Sequence, residues 1–206
     1  MLKASEALGR LQEGNRRFVS GIHNRAAPTS PTRRSELVSK QQPFAIILGC
    51  ADSRVPPEVV FDQGLGDLFV IRVAGNVVAP SQAGSIEYAA ERIGTRLVVV
   101  LGHSQCGAVA ATIDELEQPQ ESRSSNLNAI VSLIRPAVQS LKEVTPGQDR
   151  DTLMEQAVRA NVRASADHLR HGSSVLEELI RRDRLTIVGA EYSLESGEVD
   201  FFDGLP

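Results

Sequence analysis

Two short polar clusters carry the residues best suited to chemistry. Cys50-Ala51-Asp52-Ser53-Arg54 follows the apolar run Phe44 to Leu48, and His103-Ser104-Gln105-Cys106-Gly107 follows Leu97 to Leu101. Cys50 and Cys106 are the only cysteines among 206 residues. Two thiols, an imidazole and a carboxylate suit a single tetrahedral zinc ion, one per chain. Cys50 and Asp52, two apart, can converge from a turning segment. His103 and Cys106, three apart, are neighbours where a helix begins. Gly102 and Gly107 leave the backbone free to approach an ion closely.

Asp52 decides what such an ion could do. A structural zinc takes four permanent ligands, usually Cys and His. Here the fourth candidate has Arg54 two residues away, and carboxylate with guanidinium forms a bidentate pair. Paired in that way, Asp52 leaves Cys50, His103 and Cys106 on the metal and one position open to water. Zinc lowers the pKa of that water toward neutrality, and two thiolates hold it higher than three imidazoles do. A purely structural zinc gives Arg54 no role, which favours the catalytic alternative.

The elements that must position these clusters follow from the hydrophobic pattern. Short apolar runs at Phe44–Leu48, Leu68–Val73, Leu97–Leu101 and Leu185–Ala190 alternate with helical segments. These are Pro56–Phe61, Ser81–Ile93, Ala108–Leu116, Asn126–Leu141, Asp151–His168 and Ser174–Arg181, and Val199–Phe202 suits a short edge strand. Continuous β-branched runs between helices predict an α/β fold with a mainly parallel central sheet flanked by helices. In such sheets, functional groups gather beyond the carboxyl ends of the strands, where both clusters fall. Ahead of this core, Leu8, Leu11 and Phe18 mark an amphipathic helix over Ala4–Val19, and Gly21–Thr32 is expected as an extended arm. The helix and arm could wrap a partner subunit or pack on their own chain. Residues 1–42 (helix and arm) and 43–206 (α/β core) are read as one domain.

Composition limits the remaining possibilities. The chain is 41% hydrophobic and 23% charged, with a formal net charge of −4, so no basic surface for nucleic acid is expected. The pairs Arg16-Arg17 and Arg33-Arg34 are too short to change that and read as solvated surface. The apolar runs are far shorter than a bilayer span, and no signal-peptide pattern is seen. A cytoplasmic location is the default expectation. Reduced cysteines there favour metal ligation or catalysis over a disulfide.

Cys50-x-Asp52-x-Arg54 and His103-x-x-Cys106 together resemble the motifs of the β-class carbonic anhydrases. Gly64–Asn76, Gly84–Ala89 and Leu101–His103 are also similar to that family. The likeness is strong from Pro43 to Ala110, looser over the N-terminal helix and Gly172–Phe202, and slight between Pro119 and Asp149. It implies reversible hydration of CO2 to bicarbonate and a proton by attack of zinc-bound hydroxide. The implied ligands are Cys50, His103 and Cys106, with Asp52 alternating between the metal and Arg54. Gln41, Phe69, Tyr88 and the Gly107 N–H would contact substrate, Gln41 from across a dimer interface in a homodimer or homotetramer. Phe69 and Tyr88 read equally well as core residues without the family. Arg72 and Tyr192 match two members of a regulatory bicarbonate pocket in one branch, but Ile47 stands where that branch has tryptophan. His23, His168 and His171 are the remaining histidines, and none is assigned as a proton shuttle. Competing readings are hydrolysis of CS2 or COS at the same site, a non-catalytic bicarbonate sensor or scaffold, and a redox dithiol.

Overall fold

Five short apolar runs form one sheet in the computed structural model, which describes residues 2–22, 30–118 and 124–205. The strands are β1 (Ala45–Gly49), β2 (Leu68–Arg72), β3 (Leu97–His103), β4 (Thr186–Tyr192) and β5 (Val199–Asp203), in spatial order β2-β1-β3-β4-β5. The first four run parallel and β5 closes one edge antiparallel to β4. Every residue of β1 and β3 is buried, as continuous apolar runs covered on both faces require. The expected fold class is the one observed.

Helices cover both faces. α1 (Ala4–Val19), α2 (Pro31–Leu37) and α3 (Pro57–Val60) precede β2, and α4 (Pro80–Glu87) leads to β3. α5 (Gly107–Glu117), α6 (Ser125–Val144), α7 (Arg150–His171) and α8 (Ser174–Arg181) lie between β3 and β4. One face joins Leu8 and Leu11 of α1 to Ile47, Val99, Leu101 and Val188. The other joins Ile46, Leu48, Val98 and Val100 to Ile86, Val162 and Leu176. A third cluster, Val109, Ile113, Ile134, Val138 and Val158, holds α5, α6 and α7 together around the two cysteines. α7 seats closely because Gly102 and Gly189 lack side chains: a Cβ on Gly102 would meet Val162 Cγ2 at 2.5 Å, and one on Gly189 would meet Val162 Cγ1 at 2.9 Å.

The structure departs from the sequence expectations at three places. The extended arm is interrupted: Ser30 caps α2 by accepting from the Arg33 N–H, and Pro31 occupies its first turn, a start signal the composition of the segment obscured. Residues 23–29 of the expected arm lie outside the described residues, as do 119–123 of the expected loop. The single helix expected over Ser81–Ile93 is α4 followed by a wider π-helical stretch, Tyr88–Ile93, closed by Gly94 at φ 84°. The two arginine pairs are also not simply solvated, since Arg17 Nε meets the buried Asp62 at 2.6 Å and Arg33 reaches the Leu65 carbonyl.

α1 packs on its own chain. A Cβ on Gly14 would collide with the Phe61 carbonyl, so only glycine permits this approach. Asn15 then ties three segments, donating from Nδ2 to the Val60 and Gly197 carbonyls (3.1 and 2.9 Å) and accepting the Val199 N–H (2.9 Å). Replacing Asn15 by Ala removes all three bonds at a buried position. Each group left unsatisfied costs about 1–3 kcal/mol, so a loss of roughly 3 kcal/mol is expected in urea unfolding. Unchanged stability would show that Asn15 is not the tie.

Candidate metal centre

The sheet order brings the two clusters together. β1 and β3 are adjacent, with Gly49 opposite Leu101, so Cys50 leaves β1 beside the end of β3, where His103 is the last residue. The strand order reverses between β1 and β3, the position where α/β sheets open a crevice. Cys106 caps α5 directly after Ser104 and Gln105 make a tight turn, with Gln105 at φ 54°. The ligand atoms of Cys50, His103 and Cys106 all lie within 4.8 Å of one another, and all three residues are buried.

Each donor is oriented by its surroundings. The His103 Nδ1 meets the Ser104 carbonyl at 2.9 Å, which assigns Nδ1 as donor and turns Nε2 toward the thiols. Nε2 is buried with no hydrogen-bond partner. Ser104 is itself held by β4 and the residues after it: its N–H donates to the Tyr192 carbonyl (3.0 Å) and its Oγ accepts from Leu194 N–H (2.9 Å). The Cys106 thiol, by hydrogen bonding to Cys50, pulls the Cys50 pKa down. Burial opposes this, while His103 and the Gly75 N–H assist it. Cys106 is pushed up in turn by sharing that proton and by burial, against the opposing pull of the Ala108 and Val109 amides at the start of α5.

An unpartnered imidazole nitrogen beside two buried thiols fits a soft dication. Cys50, His103 and Cys106 would hold zinc, whose preference for thiolate and imidazole donors matches this set.

Asp52 stands beside the trio but is engaged elsewhere. Oδ1 accepts the Arg54 backbone N–H (3.0 Å) and Nε (2.9 Å), and Oδ2 accepts Nη2 (2.8 Å). These bonds to Arg54 hold the carboxyl well below the usual carboxylate range. Oδ2 is 3.9 Å from His103 Nε2, which puts the carboxylate directly beside the ligand trio.

Sequence reasoning missed Arg72 as a structural part of this centre. Its Nε donates to the Cys50 carbonyl (2.9 Å) and its Nη2 to the Asp52 carbonyl (2.6 Å), bracing the segment that presents both side chains. The signal was its position at the end of β2, which register places opposite Gly49. Tyr192, the other residue matched to a regulatory pocket, is buried on β4 against Phe18, three strands or about 14 Å away from the strand bearing Arg72. Ile47 is fully buried in β1. Gly102 makes room for Val162 of α7, which corrects the expectation that it frees the backbone near an ion.

The expected substrate residues divide into two groups. Gly107 opens α5 next to Cys106, and a Cβ there would meet nothing within 4 Å. Phe69 and Tyr88 lie together, ring centroids 6.3 Å apart, on the open edge formed by β2. Phe69 is three residues, or about 10 Å, before Arg72 along the strand. Gln41 is exposed in the segment leading into β1, at the opposite end of that strand from Cys50. His168 and His171 are exposed at the end of α7, and His23 lies outside the described residues.

Residues 45–199 match the carbonic anhydrase family model. The chain is 37% identical over 194 residues to a carbonic anhydrase of Mycolicibacterium smegmatis, covering 92% of this chain and 89% of that one. It is 37% identical over 187 residues to carbonic anhydrase 2 of Mycobacterium tuberculosis, covering 91% and 87%. Among solved structures, a β-carbonic anhydrase of Coccomyxa in complex with acetazolamide superposes with a TM-score of 0.75 at 26% identity, covering 95% of this chain and 86% of that one. A four-strand parallel sheet whose carboxyl edge gathers Cys, His and Cys defines a metalloenzyme class, and with these matches the chain belongs to the β-carbonic anhydrase family. Enzymes of this family hydrate CO2.

Cys50→Ser removes a thiolate at the centre of this arrangement. Zinc content by elemental analysis is expected to fall from about one ion per chain to a small fraction of that, with the fold retained by circular dichroism. Full occupancy in the variant would remove Cys50 from the ligand set.

Proposed function

We propose that this chain binds one zinc ion through Cys50, His103 and Cys106 and uses it to interconvert CO2 and bicarbonate. The observation that carries the proposal is Asp52, bonded at both oxygens to Arg54 while 3.9 Å from the ligand nitrogen of His103. A fourth permanent ligand would have no need of that guanidinium. When bound, zinc supplies Lewis acidity that makes water nucleophilic near neutral pH. The protein's part is to hold the site open: Arg54 keeps Asp52 aside, and Asp52 Oδ2, which accepts one bond from Arg54 and lies 3.9 Å from His103 Nε2, keeps capacity to accept and orient a proton beside the trio. Arg72 braces the segment bearing both. The buried trio excludes other solvent, and the Gly107 N–H at the start of α5 offers a donor for charge developing on CO2 oxygen.

Gln41, Phe69 and Tyr88 support a site completed by a second subunit. Among the described residues of one chain, Phe69 and Tyr88 sit at the β2 edge of the sheet and Gln41 at the far end of β1, so their proposed substrate contacts call for a partner copy. A homodimer or homotetramer follows, each subunit being one domain of residues 1–206. No described helix is long and apolar enough to cross a membrane, and the substrate is the dissolved gas.

Stopped-flow CO2 hydration at about pH 8.5 tests the proposal. The zinc-loaded protein is expected to be active, to lose activity on zinc removal, and to regain it on reloading. Arg54→Ala, which releases Asp52, is expected to lower kcat/KM by about 10–100-fold, the usual range for partners of a metal site. A zinc-replete protein without measurable hydration would refute the assignment. Near wild-type hydration by Arg54→Ala would refute the role of the pair.

A further inference from the structure

Gly75 is the least restrained kind of residue at a place where restraint matters. Its N–H lies 3.3 Å from Cys50 Sγ, and it follows β2 in a left-handed turn with φ 71°. Glycine passes readily between such conformations, so nothing in its own chemistry holds the N–H on the sulfur. Two features outside the turn do. A Cβ at this position would meet Ile134 Cδ1 at 2.7 Å and Ala108 Cβ at 3.0 Å, so α5 and α6 close over it. On the other side, Asn161 Nδ2 of α7 donates to the Gly75 carbonyl at 2.8 Å.

Asn161 is itself fixed. It is 2% exposed, and its neighbour Val162 is wedged over Gly102 of β3 and Gly189 of β4. A buried amide in the middle of a long helix, directed at one carbonyl 86 residues away, is costly unless that bond is needed.

We propose that Asn161 is a positioning residue of the metal centre, which by holding the Gly75 carbonyl aims the Gly75 N–H at Cys50 Sγ. The inference rests on the zinc reading of the Cys50, His103 and Cys106 cage. An amide donor on a ligating thiolate withdraws part of its charge and stabilises it in the metal-bound form. Asn161 touches neither metal nor substrate, and acts through Gly75. It links α7, a helix distant in sequence from both clusters, to the electronic character of one ligand.

Cadmium-113 loaded into the full-length, nitrogen-15-labelled protein gives a direct readout. Scalar coupling from cadmium to the Cys50 β-protons reports the cage, and coupling to the Gly75 amide proton reports the hydrogen bond through sulfur. Both are expected in the wild type. Asn161→Leu is expected to keep the first and lose the second, and chelator competition is expected to show zinc bound about 10–100-fold more weakly. Val162→Ala loosens the seating of α7 without removing the amide, and is expected to keep both couplings. If Asn161→Leu does not fold, Asn161→Ser, whose hydroxyl falls short of the carbonyl, is measured in the same way with the same expectation. Loss of the Cys50 coupling in the wild type would overturn the cage and this proposal together. A Cys50 coupling without a Gly75 coupling, or a Gly75 coupling and zinc affinity that survive loss of the amide, would overturn this proposal alone. So would a Gly75 coupling lost equally in Val162→Ala.

Discussion

The parallel pairing of β1 with β3 in one register is the constraint on which the rest of the centre depends. Gly49 faces Leu101, and only that alignment brings Cys50 to the level of His103 and Cys106. A slip of one residue would turn every side chain of β1 to the opposite face. It is prevented by apolar packing on both faces, where Ile46 and Leu48 face one layer of helices and Ile47 the other. The geometry of a few polar atoms is therefore set by the burial of many apolar ones.

Around that register, the centre is supported from four sides. Arg72 braces the backbone of Cys50 and Asp52 from β2, and Ser104, tied to β4, orients the His103 ring. The first amides of α5 point toward Cys106, and α7 reaches the turn after β2 through Asn161. Most of these supports are backbone groups or backbone-directed side chains. This lets two buried cysteines and a buried histidine keep fixed positions, with their charges balanced by directed hydrogen bonds.

Much of this was legible in the sequence because it rests on local pattern. The strands are short β-branched runs, the helices carry apolar periodicity, and the chemical residues sit where strands end. The pairing of Asp52 with Arg54 followed from a spacing of two residues. What escaped was non-local or conformational. Arg72 read as a member of a regulatory pocket because nothing in its neighbourhood reveals two carbonyls waiting just beyond the end of the adjacent strand. Asn161 drew no notice inside a polar stretch of helix. Gly102 was assigned to the wrong neighbour, since its partner Val162 is 60 residues away in the chain. Ser30 and Pro31 did carry a helix-start signal, lost among the prolines and small residues of a segment expected to be extended. The site was thus visible as a set of ligands, while its scaffolding required the fold.

In the proposed function Asp52 is kept from the metal by Arg54, leaving three protein ligands. A crystal structure of the zinc-loaded protein at neutral pH tests it most directly. Zinc is expected on Cys50, His103 and Cys106, with the Asp52 carboxylate still bidentate on Arg54. Asp52 bound as a fourth ligand at that pH, or zinc held by other residues, would contradict it.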